Sequence, residues 1–201
     1  MRSLLPSAVT DLVSALSGLP SIGAKTARRL AFHFLETDPA RARTLALALG
    51  RIHEEIAVCP ECGFFSSPGE LCSLCTDPHR SRDLCVVGRI QDVLVIEEAG
   101  VFSGRYHVLG GYLSPLDRVF PEDLRIDELV ARVEREHADE LIFAFDSTPD
   151  ADYTAQFLLQ ALPPRVRITR IAAGIPFGGE LEYTDRITLS HAFSLKREVS
   201  R

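Results

Sequence analysis

Cys59-Pro60-Glu61-Cys62 and Cys72-Ser73-Leu74-Cys75 place four thiols within seventeen residues, and this pairing decides how the chain divides. Each Cys-x2-Cys turn points two sulfurs at one centre, which suits a tetrahedral Zn²⁺ site. Between the pairs, Ser67-Pro68-Gly69 supplies a turn that folds the second pair back on the first. A module this short buries no core of its own, so bound metal would supply most of its folding energy. A disulfide pair or a redox Cys-x-x-Cys are the rival readings, but one redox motif needs no second. We therefore expect one structural zinc ion per chain. Four sulfurs close the coordination shell, so the quartet predicts architecture and argues against catalysis.

Upstream of the quartet the periodicity is helical. Ser7, after Pro6, is placed to cap a first helix carrying Val9, Leu12, Val13 and Leu16 on one face. Gly18 to Gly23 breaks it, and a second helix is expected from Ala24 to about Leu35, with Ala27, Leu30, Ala31 and Phe34 inward. Thr37-Asp38-Pro39 should cap a third, whose apolar stripe is Ala42, Leu45, Ala46, Leu49, Ile52 and Ile56. Downstream the pattern alternates. Leu84–Val87, Tyr106–Leu109, Leu141–Phe145 and Val166–Ile171 read as strands; Ile90–Glu98, Ile126–His137 and Tyr153–Leu162 read as helices. Such alternation predicts a mainly parallel sheet covered on both faces, with sites near Gly88 and Asp146 at the carboxyl ends of strands. Cys85, inside the apolar Leu84–Val87 run, reads as a buried strand residue and not as a nucleophile.

Composition adds bounds. The 46% hydrophobic and 25% charged content is that of an ordinary globular protein. No run approaches transmembrane length and no secretory signal is evident, so no membrane partner is expected. Cysteines in metal spacing fit a reducing, cytoplasmic setting. Net charge is −6, yet residues 1–58 hold seven Lys or Arg against five Asp or Glu, so the excess acid lies downstream. That asymmetry points to a basic contact region ahead of an acidic body.

The contact region is legible in Leu19-Pro20-Ser21-Ile22-Gly23-Ala24-Lys25-Thr26-Ala27-Arg28-Arg29-Leu30. A hairpin opening straight into a helix leaves the first N–H groups pointing outward, a ready phosphate site at the positive end of the dipole. Lys25, Arg28 and Arg29 share one face, and Gly23 permits close approach. A solvated helix face is the alternative reading of the same trio. Gly18 to Thr26 is no nucleotide P-loop, because Ala24 intrudes between Gly23 and Lys25 and no strand precedes the segment.

Taken together, a helix-hairpin-helix, a four-cysteine module, a Toprim-like α/β unit and the closing run Gly174-Ile175-Pro176-Phe177-Gly178-Gly179-Glu180-Leu181-Glu182-Tyr183 resemble the bacterial recombination mediator family RecR. Arg29-Leu30-Ala31-Phe32-His33, Arg105-Tyr106-His107-Val108-Leu109, Leu113-Ser114-Pro115-Leu116-Asp117 and Thr188-Leu189-Ser190-His191-Ala192 are further matches. The resemblance implies an α/β multidomain chain: a helix-hairpin-helix region over 1–58, a zinc finger over 59–80, a Toprim-like sheet with flanking helices over 81–173 and a C-terminal oligomerisation segment over 174–201. It implies a non-enzymatic role in recombinational DNA repair. The chain would form ring-shaped homo-oligomers, typically tetramers, bind DNA without sequence preference, and act with RecO and RecF to help load RecA at gapped DNA in the cytoplasm, at the nucleoid.

Lys25 and Arg29 match the family's DNA-contacting positions, Cys59, Cys62, Cys72 and Cys75 its zinc ligands, and the acidic Asp146, Asp150 and Asp152 fall in the Toprim unit implicated in binding RecO. Three departures stand out. Ser21 takes the first place of a Gly-hydrophobic-Gly hairpin. Val86-Val87-Gly88 stands where the first Toprim strand commonly ends Val-Val-Glu. Phe145-Asp146-Ser147-Thr148-Pro149 replaces a Thr-Asn-Pro-Thr-like stretch. A Toprim nuclease or topoisomerase is the alternative, and it needs that Glu together with the Asp cluster to hold Mg²⁺. Glu97 and Glu98 lie too far along the next helix to replace it. Glu180 and Glu182 are expected to pair with arginines within or between subunits.

Overall fold

The computed structural model describes residues 4–172, 174–175 and 177–196. The chain forms two compact units, Met1–Ile56 and Ala57–Arg201.

The first unit holds three helices, α1 (Ser7–Ser17), α2 (Ala24–Glu36) and α3 (Pro39–Glu55). Ser7 does not cap α1. Pro6 occupies the cap position and Ser7 is already helical, its carbonyl accepting from Thr10 Oγ1 at 2.7 Å. Asp38 does cap α3, accepting from Ala40 N at 2.9 Å with Pro39 in the first turn. α1 packs along α2, where Ala27 and Ala31 are fully buried; these small side chains let the two backbones come close. The α3 stripe is not buried: Leu45, Leu49, Ile52 and Ile56 are all exposed.

The second unit begins with a ribbon, β1 (Ala57–Val58) paired antiparallel to β2 (Phe65–Ser66), followed by the short helix α4 (Ser73–Thr76). Its first strand therefore starts two residues ahead of Cys59, inside the span read from the sequence as helical. The sheet follows: β3 (Leu84–Val87), α5 (Ile90–Ala99), β4 (Arg105–Val108), α6 (Ile126–Glu136), β5 (Glu140–Ala144), α7 (Pro149–Ala161) and β6 (Arg167–Arg170). All pairings are parallel and the order is β4-β3-β5-β6. The switch point thus lies between β3 and β5, and Gly88 and Asp146 flank it at the carboxyl ends of those strands. α7 starts four residues earlier than the periodicity predicts, because Thr148 caps it, accepting from Ala151 N at 3.3 Å, with Pro149 at the first position.

The two faces of the sheet are covered differently. Leu84, Val86, Leu141 and Phe143 pack under α6 and α7 through Leu129, Val133, Ala155 and Leu158. On the other face, Cys85, Val87, Tyr106 and Val108 meet Val93 of α5, and also Phe64 and Leu74 of the ribbon. The ribbon does for β4 what a second helix would do. Cys85 is buried in that layer, and burial pushes its thiol up to about 12, as befits an inert core residue. The C-terminal segment contributes α8 (Arg186–Ser194), capped by Asp185. Of the closing run, Pro176 lies outside the described residues. Among the described residues of the single chain, neither Glu180 nor Glu182 forms an ion pair with an arginine, so of the expected pairings the one within the subunit is absent.

Candidate functional site

The four cysteines converge. Their sulfurs all lie within 4.8 Å of one another, and no other metal-ligating group gathers so closely among the described residues. A tetrahedral ion with sulfur ligands separates them by about 3.8 Å, close to the 4.0 Å between Cys59 and Cys75 and the 3.4 Å between Cys62 and Cys72. Phe64 N donates to Cys62 Sγ and Cys72 N to Cys59 Sγ, each at 3.4 Å, which fixes the orientation of both sulfurs. Without metal the thiols compete for protons. Hydrogen bonds from Cys72 and then Cys75 push Cys62 far up, while the Cys62 hydrogen bond holds Cys72 far down. A divalent cation replaces the protons this cluster would otherwise share. These four residues can hold a metal ion.

Gly63 completes the first knuckle. Its φ of +78° is the left-handed conformation glycine adopts freely, and a Cβ there would lie 2.8 Å from the carbonyl oxygen of Val108. That contact marks how the ribbon is fastened to the sheet. Val108 N donates to Cys62 O at 2.7 Å, Arg125 Nη2 donates to Pro60 O at 2.7 Å, and Glu61 meets Arg132 Nε at 3.0 Å and also pairs with Arg135. Arg132, on α6, is 1% exposed; its Nε also reaches Glu136 at 2.9 Å and its Nη1 donates to Tyr106 O at 2.7 Å. Glu61, Gly63, Arg125 and Arg132 escaped the sequence reading. Only Glu61 and Gly63 carried a signal, as the residues inside and after the first Cys-x2-Cys.

His107 of β4 is fully buried beside this cluster, its Nε2–H donating to Arg125 O at 2.8 Å. Its Nδ1 meets no partner among the described residues. Burial, reinforced by Arg132 and Arg125, pulls the imidazole down to about 4 despite the opposing hydrogen bond. Between that value and the ordinary one near 6.5, the unfolded chain takes up a proton that the native chain refuses. Stability should therefore be full above pH 6.5 and fall by about 3 kcal/mol as pH drops towards 4. Denaturant midpoints of the wild type and His107→Gln across that window check it; the same slope in both chains would rule the imidazole out.

In the first unit, Lys25, Arg28 and Arg29 are exposed and form no ion pair among the described residues. Gly23 precedes α2 in extended conformation, no side chain caps the helix among the described residues, and the space where a Cβ would sit is open. Lys25 thus lies in the uncapped first turn, and Arg28 and Arg29 follow it in the second. Ser21 takes φ +64°, so the hairpin keeps a left-handed conformation with serine where glycine would hold it without strain.

At the switch point the Toprim carboxylate pattern is incomplete. Gly88 has no carboxylate, and Asp146, Asp150 and Asp152 do not converge on an ion site. Asp152 pairs with Arg170 at 2.5 Å instead. Glu97 is occupied elsewhere, bound by Arg80 and by Tyr106 Oη at 2.6 Å, and Glu98 is exposed.

Three stretches of the chain match known protein families. Residues 82–172 match the Toprim domain, residues 9–53 the RecR helix-hairpin-helix, and residues 174–197 the RecR C-terminal segment. "Recombination protein RecR" of Frankia casuarinae is 44% identical over 194 residues, spanning 96% of this chain and 97% of that one. The chain belongs to the RecR family. The RecR proteins of Rubrobacter xylanophilus and Syntrophobacter fumaroxidans are 47% and 46% identical, over 95% and 93% of this chain and 96% and 94% of theirs. These relatives are named for recombination, and the chain is a recombination protein of their family. No helix among the described residues is long and apolar enough to cross a membrane.

Proposed function

We propose that this RecR chain is a DNA-binding recombination mediator that assembles into a ring-shaped homo-oligomer, a tetramer. With RecO and RecF it helps load RecA at gapped or single-stranded DNA, in the cytoplasm and at the nucleoid. The single observation that carries DNA binding is the uncapped N terminus of α2, with Lys25, Arg28 and Arg29 exposed on its first two turns and without an ion-pair partner among the described residues. Phosphate oxygens satisfy both the N–H groups and the cations, and nothing in the hairpin reads base edges, so binding is insensitive to sequence. Zinc is the ion that a closed four-sulfur knuckle suits best. Asp146, Asp150 and Asp152, at the end of the sheet, would meet basic residues of RecO.

Lys25→Glu with Arg29→Glu should weaken DNA binding by about 100-fold or more and flatten its salt dependence by roughly two released counterions. Oligomer mass and metal content should stay at wild-type values. Unchanged affinity in that double variant removes the hairpin from the DNA contact. Asp150→Lys is the matching test of the acidic surface: it should reduce RecO capture while leaving DNA affinity intact.

A further inference from the structure

The switch-point crevice of a Toprim sheet is where a divalent cation is expected, held by a Glu after the first strand and an Asp cluster after a later one. Here the seat of the Glu is filled by another side chain. A Cβ built on Gly88 would lie 2.4 Å from Cζ and 2.6 Å from the hydroxyl oxygen of Tyr112, far inside contact distance and against a ring, not a flexible tip. Tyr112 is 9% exposed, set edge-on against Phe145, which stacks in turn on Phe143. Its ring has little freedom to withdraw. Its hydroxyl oxygen accepts from Asp146 N at 2.9 Å.

On the other side of the same loop stands a cation that belongs to the chain. Arg170, the last residue of β6, donates through Nη1 to Asp152 Oδ1 at 2.5 Å and through Nη2 to Asp146 O at 3.2 Å. The Asp146 backbone is therefore gripped at both polar atoms, N–H by a phenol and C=O by a guanidinium. An ion bridging Glu and Asp side chains would tie the ends of β3 and β5 together; Tyr112 makes that tie by packing on Gly88 and bonding to Asp146. Arg170 supplies positive charge to the Asp cluster without a metal.

We propose that Tyr112 and Arg170 replace the Toprim cation in this chain, as positioning residues that hold the Asp146–Asp152 loop at the switch point without metal. The glycine at position 88 and the tyrosine at position 112 are then one substitution in two parts: the carboxylate is lost, and the ring occupies its seat.

Three readouts on the full-length protein with its cysteine site loaded test this. Titration with Mn²⁺ followed by electron paramagnetic resonance should show no saturable uptake at millimolar concentration; uptake abolished by Asp146→Asn would overturn the proposal. Tyr112→Phe keeps the ring but removes the acceptor, so hydrogen exchange at the Asp146 amide should quicken about five-fold, and added Mg²⁺ should not slow it again. An unchanged exchange rate, or protection restored by Mg²⁺, would overturn it. Gly88→Ala should lower the unfolding midpoint, and Tyr112→Ala in the same chain should recover part of that loss. Failure of the second change to recover any would show that the ring does not occupy the seat.

Discussion

Removing the metal, by chelation or by Cys59→Ser, should lower the melting temperature of the second unit by roughly 10–20 °C, the equivalent of several kcal/mol in a domain of this size. Within itself the ribbon has little else to hold its shape, and its ties to the sheet through Pro60, Glu61 and Cys62 depend on that shape. Its strands are two residues each, its helix four, and its buried side chains are the cysteines themselves, backed by Phe64 and Leu74. Once the sulfurs part, the knuckle that places Cys62 O against Val108 N loses its shape, and Phe64 and Leu74 lift from β4. The loss thus reaches the sheet. Calorimetry of loaded and chelated protein, with metal content measured alongside, reads the effect directly. A metal-free chain that melts where the loaded one does would mean that the ribbon folds on its own contacts. Acid should act in the same direction, because protons and metal compete for the same thiolates.

Arg132→Ala should cost about 3–5 kcal/mol. The guanidinium is shut from solvent, and three separate elements depend on it: Glu61 of the ribbon, Glu136 on its own helix, and the carbonyl of Tyr106 on β4. Truncation leaves Glu61 and Glu136 with only the more exposed Arg135 and Arg105 to neutralise them, and a cavity beneath. Arg132→Met separates the two causes. It refills much of the volume but restores no charge, so it should recover the packing share alone. The carboxylates are 26% and 21% exposed and will draw in water to compensate in part. Denaturant midpoints of both variants, read with metal affinity, check the assignment. Equal stability of wild type and Arg132→Ala would show that the cluster contributes no net energy. Weakened metal binding in Arg132→Ala, with the cysteines untouched, is expected because Glu61 sits between two of them.

Much of this molecule is legible before any coordinates. The apolar runs of β3 and β5 and the small-residue face of α2 follow from periodicity, since burial on one face or both leaves a direct mark on composition. The cysteine cluster follows from spacing. What escapes is long-range. Arg132 lies in a helix whose pattern reads as amphipathic, and an arginine there looks solvated until β4 and Glu61 are brought over it. Gly88 reads as a missing carboxylate; that Tyr112 fills the gap depends on a loop folding back across the sheet. The start of α7 was hidden for another reason: Ser147-Thr148-Pro149 serves equally as a loop signal or as a cap with proline in the first turn. The α3 stripe shows the opposite error, since apolar spacing announces a helix but does not say that anything covers it.

The bond from Val108 to Cys62 has a consequence for solubility. β4 is an edge strand, and open edges recruit other strands. The cysteine knuckle stands against that edge and takes up one of its outward N–H groups. Chelators or thiol oxidants would therefore do more than loosen a small module. They would uncover a β-edge beside the apolar side chains of Phe64 and Leu74, and the metal-depleted chain should precipitate by strand addition before it unfolds.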